Sequence, residues 1–119
     1  MTTYNLTGDA AIEQGATYTK QIVWKDGGGV PMDLTGYSAR MQIRKTIGST
    51  KVLVDLATSP GSGIALGGAL GTIVLTISAA LTTAITEAVG VYDLELVSGG
   101  GVVTRLLEGD VEIKPEVTR

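Results

Sequence analysis

The stretch "YSARMQIRK", residues 37–45, alternates strictly: Tyr37, Ala39, Met41 and Ile43 fall on one parity, and Ser38, Arg40, Gln42 and Arg44 on the other. A strand sends successive side chains to opposite faces, so this period of two specifies one buried and one wet face, a sorting no helix achieves. The pattern recurs along the chain. "ATYTKQIVWK" places Tyr18, Ile22 and Trp24 on one parity, with Lys20 among them, which predicts a strand near a sheet edge where a long amine reaches water. "KVLVDL" puts Val52, Val54 and Leu56 inward, and "TIVLTI" does the same with Ile73, Leu75 and Ile77.

Between these runs lie turns. Seventeen glycines against three prolines, beside abundant Val, Ile, Thr and Leu, is a composition of short strands joined by tight turns. One segment departs from it. In "SAALTTAIT" Ser78 is placed to cap and Leu81 and Ile85 stand four apart, which predicts one or two helical turns near residues 78–86, across the edge of the sandwich. The total is seven to nine strands in 119 residues, enough chain for a single domain spanning residues 1–119. The expected fold is all-β, a two-sheet antiparallel immunoglobulin-like sandwich, with a small closed barrel as the alternative.

The closing hairpin fixes its own register. In "YDLELVSGGGVVTRLLEGDVEIK", a loop of the three glycines pairs Ser98 with Val102, Val97 with Val103, Glu95 with Arg105 and Leu94 with Leu106. The inward parity then shifts from Leu106 to Val111 and Ile113, which predicts a bulge near Glu108 and Gly109.

The chain contains no cysteine and no histidine. That excludes disulfides, thiolate and imidazole metal sites, and every nucleophile paired with histidine. No cofactor or metal is expected. "GSGIALGGALG" has close-set glycines, but no Lys-Ser or Lys-Thr follows and the G-x-G-x-x-G spacing fails, so it reads as a hairpin turn and not a phosphate loop. Asp93 and Glu95, with Glu108, Asp110 and Glu112, read as wet strand faces; a glycosidase pair would need a cleft and aromatic platforms. A carbohydrate-binding module built on Trp24 or a tyrosine would need exposed coplanar rings, whereas Trp24 is expected to be buried. No catalytic residue is expected.

A net charge of −3 with scattered basic residues argues against nucleic acid as a partner. Residues 57–86 carry no charge, but Pro60 and a series of glycines interrupt them, so no membrane span is expected. The first ten residues lack the basic and apolar regions of a secretory signal. Arg40, Gln42 and Arg44 project from one strand face, either as its ordinary wet side, the favoured reading, or as a contact for an acidic partner. Glu116 and Arg119, on a polar tail "KPEVTR" expected to be free, complete the candidate partner contacts.

Three passages together carry a resemblance: "IEQGATYTKQIVW", "MDLTGYSARMQIRK" and "VYDLELVSGGGVVTRLLEGDVEIKPEVTR". They resemble a family of small tailed-phage and prophage virion proteins: a Gln-Gly before the first long strand, an Asp-Leu-Thr-Gly turn into an alternating strand, and a Tyr-x-Leu-x-Leu hairpin with a Gly-x-Val return. The plan is similar to the immunoglobulin-like N-terminal domain of phage baseplate upper proteins, which dock a fibre or receptor-binding module onto the tail. Those proteins continue into a long C-terminal part, whereas this sequence ends at Arg119. The resemblance therefore implies a small accessory subunit of the virion, made in the host cytoplasm and binding through its own surface. Its implied partners are other phage structural proteins of tail, neck, baseplate or fibre, in multiple copies. The alternative is a decoration protein bound to the major capsid protein.

Overall fold

The computed structural model describes residues 2–58 and 62–117. Nine strands form two sheets: β1 (Thr2–Thr3), β2 (Ile12–Glu13), β3 (Tyr18–Val23), β4 (Ser38–Arg44), β5 (Val52–Ala57), β6 (Ile64–Leu66), β7 (Thr72–Ile77), β8 (Val89–Val97) and β9 (Val103–Lys114). The larger sheet has the order β1-β9-β8-β4-β5, with β2 also beside β9, and the smaller has the order β3-β7-β6. This is an immunoglobulin-like sandwich, all-β apart from short helical turns. The sheets stay separate, so the closed barrel is not formed.

The alternation seen in the sequence is what fills the space between the sheets. Met41, Ile43, Leu94 and Leu96 from the large sheet meet Ile73, Leu75 and Ile77 from the small one, each 1 % exposed or less. β3 is an edge strand as Lys20 foretold, and the Lys20 ammonium lies 4.9 Å from the centre of the Tyr4 ring. The cation–π contact lets the amine share the inner face without being stranded there. "GIALGGALG" folds as the β6–β7 hairpin, with Gly67 N–H donating to Thr72 O. The Asp-Leu-Thr-Gly turn closes on itself: Thr35 donates to Asp33 Oδ1 through both its amide and its hydroxyl, at 3.0 and 2.6 Å, and Tyr37 N–H reaches Leu34 O. Those bonds also hold the Asp33 carboxyl below its ordinary pKa.

Several expectations are corrected. The sandwich is not wholly antiparallel, because residues 2–14 run parallel to β9, through Thr2 opposite Leu107, Leu6 opposite Val111 and Ile12 opposite Ile113. In the closing hairpin the three-glycine loop and the pairs Val97–Val103 and Glu95–Arg105 are as expected, but Leu94 faces Leu107, not Leu106. The extra residue is Leu106 itself. A bulge there turns Leu107, Val111 and Ile113 inward together. Gly109 serves a different need: a Cβ on it would collide with the Tyr4 carbonyl, so glycine admits the N-terminal segment alongside β9.

The helix α1 (Ala79–Thr83) forms where expected, with Ser78 Oγ accepting from Leu81 N–H at 3.3 Å. It does not pack through Leu81, which is 44 % exposed; Thr82 and Ile85 are the buried pair. Thr82 wins that place by hydrogen bonding, since its Oγ1 donates to a backbone carbonyl, that of Ala16 (2.9 Å) or Ala79 (3.1 Å), while accepting from Gly15 N–H. Trp24 is half-buried, edge-on to Tyr37 with ring centres 6.2 Å apart. Among the described residues no helix is long and apolar enough to cross a membrane.

Candidate functional site

β4 lies between β5 and β8, so its outward parity forms the middle of the large sheet's outer surface. Arg40, Gln42 and Arg44 stand there in one row. Register brings β8 alongside with Glu95 beside Arg40 and Asp93 beside Gln42, and β9 adds Arg105 next to Glu95. The result is a lattice of opposite charges. Arg40 Nε meets Glu95 Oε1 at 2.7 Å; Arg105 Nε lies 3.5 Å from Asp93 Oδ2 and 4.0 Å from Glu95 Oε2. Glu95 is thus shared between two guanidinium groups from the strands on either side.

Arg44 has another task. One of its nitrogens donates to Ser49 O at 2.7 Å and another to Gln42 Oε1 at 2.8 Å, closing the β4–β5 loop against the sheet. Beside it Gln42, Arg44, Ile47, Asp93, Arg105 and Asp110 surround an open depression of about 320 Å³. Ile47, 90 % exposed, forms its rim.

This geometry decides what the row offers. Arg40 is paired with Glu95, and Arg44 is held by Ser49 O and Gln42 Oε1, so with Asp93, Glu95 and Arg105 alongside the surface presents an ordered pattern of both signs and not a bare basic patch. Such a surface favours orientation of a complementary partner over raw affinity. Among the described residues no group of acidic side chains is arranged to hold a metal ion. No buried side-chain nitrogen or oxygen among them lacks a hydrogen-bond partner.

Of the sequence candidates, Arg40, Gln42 and Arg44 come together. Glu116 stands apart from them: its amide donates to Gln14 Oε1 at 3.1 Å, and its carboxylate lies over Gly15. The tail is therefore not free through Glu116, since Lys114 O also accepts from Gln14 N–H. Arg119 lies outside the described residues. Asp93 and Glu95 lie on the wet face and Glu95 stands against Arg105, as the hairpin pattern predicts, and together they complete the arginine row, which that pattern does not show. The β8–β9 register carries half of that signal; β4 beside β8 comes only with the sheet order. Ile47 was missed altogether; an isoleucine inside the turn "KTIGST" was its only mark.

Two edges of the large sheet bear on partners as well. Among the described residues, β5 pairs only with β4 over Val52–Leu56, and β9 has no neighbour on its second side from Val103 to Arg105. Asp55 guards the first edge with a charge, whereas Val102 and Val103 leave the second apolar and exposed.

No protein-family model matches the chain, and no curated protein matches it. Among solved structures, extracellular domains 3–5 of Drosophila OTK are similar over 97 % of this chain, at 13 % identity and a TM-score of 0.30; the chain spans 33 % of that structure.

Proposed function

We propose that this protein is a non-enzymatic structural subunit of a tailed-phage particle, bound in several copies at the tail, neck or baseplate and holding a fibre or receptor-binding module there. One observation carries the reading. The three passages that resemble phage virion proteins contain β2 and β3, β4, and most of β8 with all of β9, so they supply most of the large sheet and its outer surface. The resemblance thus falls on the part of the molecule with a surface to offer.

Attachment then works by packing and strand addition. The free stretch of β9 beside Val103 accepts an extended segment of a neighbour through backbone hydrogen bonds, and the lattice of Arg40, Glu95, Arg105 and Asp93 sets the register. Backbone bonds supply affinity there, and the charge pattern rejects wrong alignments. No reaction is assigned to the protein.

Mass spectrometry of purified particles from the phage or prophage that encodes the chain is the test. Its peptides are expected at a level matching several copies per particle. Intact, infective particles free of it would end this reading.

A further inference from the structure

Residues 2–14 are built unlike the rest of the sandwich. They form an arm parallel to β9, while every other ladder between strands is antiparallel. The arm is seated by three kinds of contact. Its backbone joins β9 through Tyr4 N–H to Glu108 O and Leu6 N–H to Asp110 O, both 2.8 Å, and Glu112 N–H to Leu6 O at 2.9 Å. Two phenols seize its carbonyls: Tyr92 from β8 donates to Tyr4 O at 2.6 Å, and Tyr18 from β3 to Ala10 O at 2.9 Å. Leu6 and Ile12 are 1 % and 0 % exposed, and Gly109 leaves the arm room to approach. No contact in this set requires the arm and the groove to belong to one chain.

What does require it is the reversal after the arm. Residues 13–17 double back into β3, with Ala16 N–H on Glu13 O at 3.1 Å and Gly15 at φ +87°. That is the left-handed region, and a Cβ at Gly15 would also run into the Glu116 carboxylate. The reversal is thus the one part of the arrangement that would be given up if the arm went elsewhere.

We propose that the arm is exchangeable, and that residues 2–14 of one copy seat on β9 of a second copy while the second returns its own arm to the first. Reciprocal exchange uses one surface twice and closes as a two-fold dimer. The inference does not depend on the phage reading, because it concerns purified protein alone.

Asn5 and Asp110 report the seating. Both are exposed, and Asp110 N–H donates to Asn5 Oδ1 at 3.0 Å, so thiols at these positions meet when an arm is in place. The Asn5→Cys and Asp110→Cys single variants are refolded together at high concentration with Gly15 intact, then oxidised. Exchange predicts a covalent dimer joining one variant to the other, several-fold above the yield of random collision, and a further several-fold increase when both chains carry Gly15→Ala. A mixed dimer at or below the random-collision yield with Gly15 intact overturns the proposal, whether or not the Gly15→Ala chains fold.

Discussion

The Tyr92 hydroxyl donates to the Tyr4 carbonyl at 2.6 Å, tying a central strand of the large sheet to an arm 88 residues earlier. Removing that oxygen alone, in Tyr92→Phe, should cost about 1 kcal/mol, the usual net worth of such a bond. Urea denaturation should show a lower midpoint at unchanged slope. The amides of Tyr4 and Leu6 should exchange with solvent faster than those of β4, since the arm is what the bond holds.

The same phenols make stability fall in alkali. Burial, with smaller contributions from neighbouring tyrosines, raises the pKa of Tyr92 and of Tyr18 above the ordinary value of 10.0. The folded state therefore keeps protons that the unfolded chain releases. Their contribution is fully present below about pH 10 and is lost as pH climbs from there through the folded-state values. Denaturation midpoints measured at pH 9, 10 and 11 should fall at the upper end, and should fall less in Tyr92→Phe.

Helix α1 offers a contrast between neighbours. Thr82→Ala strips hydrogen bonds from Gly15 N–H and Ala16 O in a buried place and should cost roughly 1–3 kcal/mol; Leu81→Ala should stay within about 0.5 kcal/mol of wild type. Equal losses at the two positions in a thermal melt would mean that the helix packs through the leucine after all.

That contrast marks where local pattern stops being informative. β4, the β6–β7 hairpin and the three-glycine loop were legible because alternation and turn residues act within a few positions of one another. Leu81 and Ile85 have the right spacing for a helix face, but a hydroxyl that finds a carbonyl 66 residues away took the buried place in the helix instead of Leu81. The arm was illegible for a related reason. Its buried residues Leu6, Ala11 and Ile12 have neither strand nor helix period, because a 3-10 turn at Gly8–Ala10 interrupts them, and its parallel partner is at the far end of the chain. Gly109 looked like a bulge when read along β9 alone; only the arm beside it gives the glycine its use. For the candidate site, the arginine row could be read from β4, and half of its pairing from the β8–β9 register. The closure of Arg44 on Ser49 could not, since it depends on the shape of the β4–β5 loop.

The charge lattice should matter little to folding. Glu95→Gln removes the carboxylate that Arg40 and Arg105 share, yet both arginine side chains are more than half exposed, so the loss should be within about 1 kcal/mol and should shrink at high salt. If the lattice sets register with a partner, the same variant should be under-represented in assembled particles while folding normally. Competition between wild type and variant during particle assembly, read by mass spectrometry, checks this.

Cryo-electron microscopy of the assembled particle tests the proposed function most directly. Density for this sandwich is predicted in several symmetry-related copies at the tail, neck or baseplate, with an extended segment of a neighbour lying along the β9 edge at Val103. A complete reconstruction with no density for the sandwich, or with the sandwich only on the capsid shell, would contradict it.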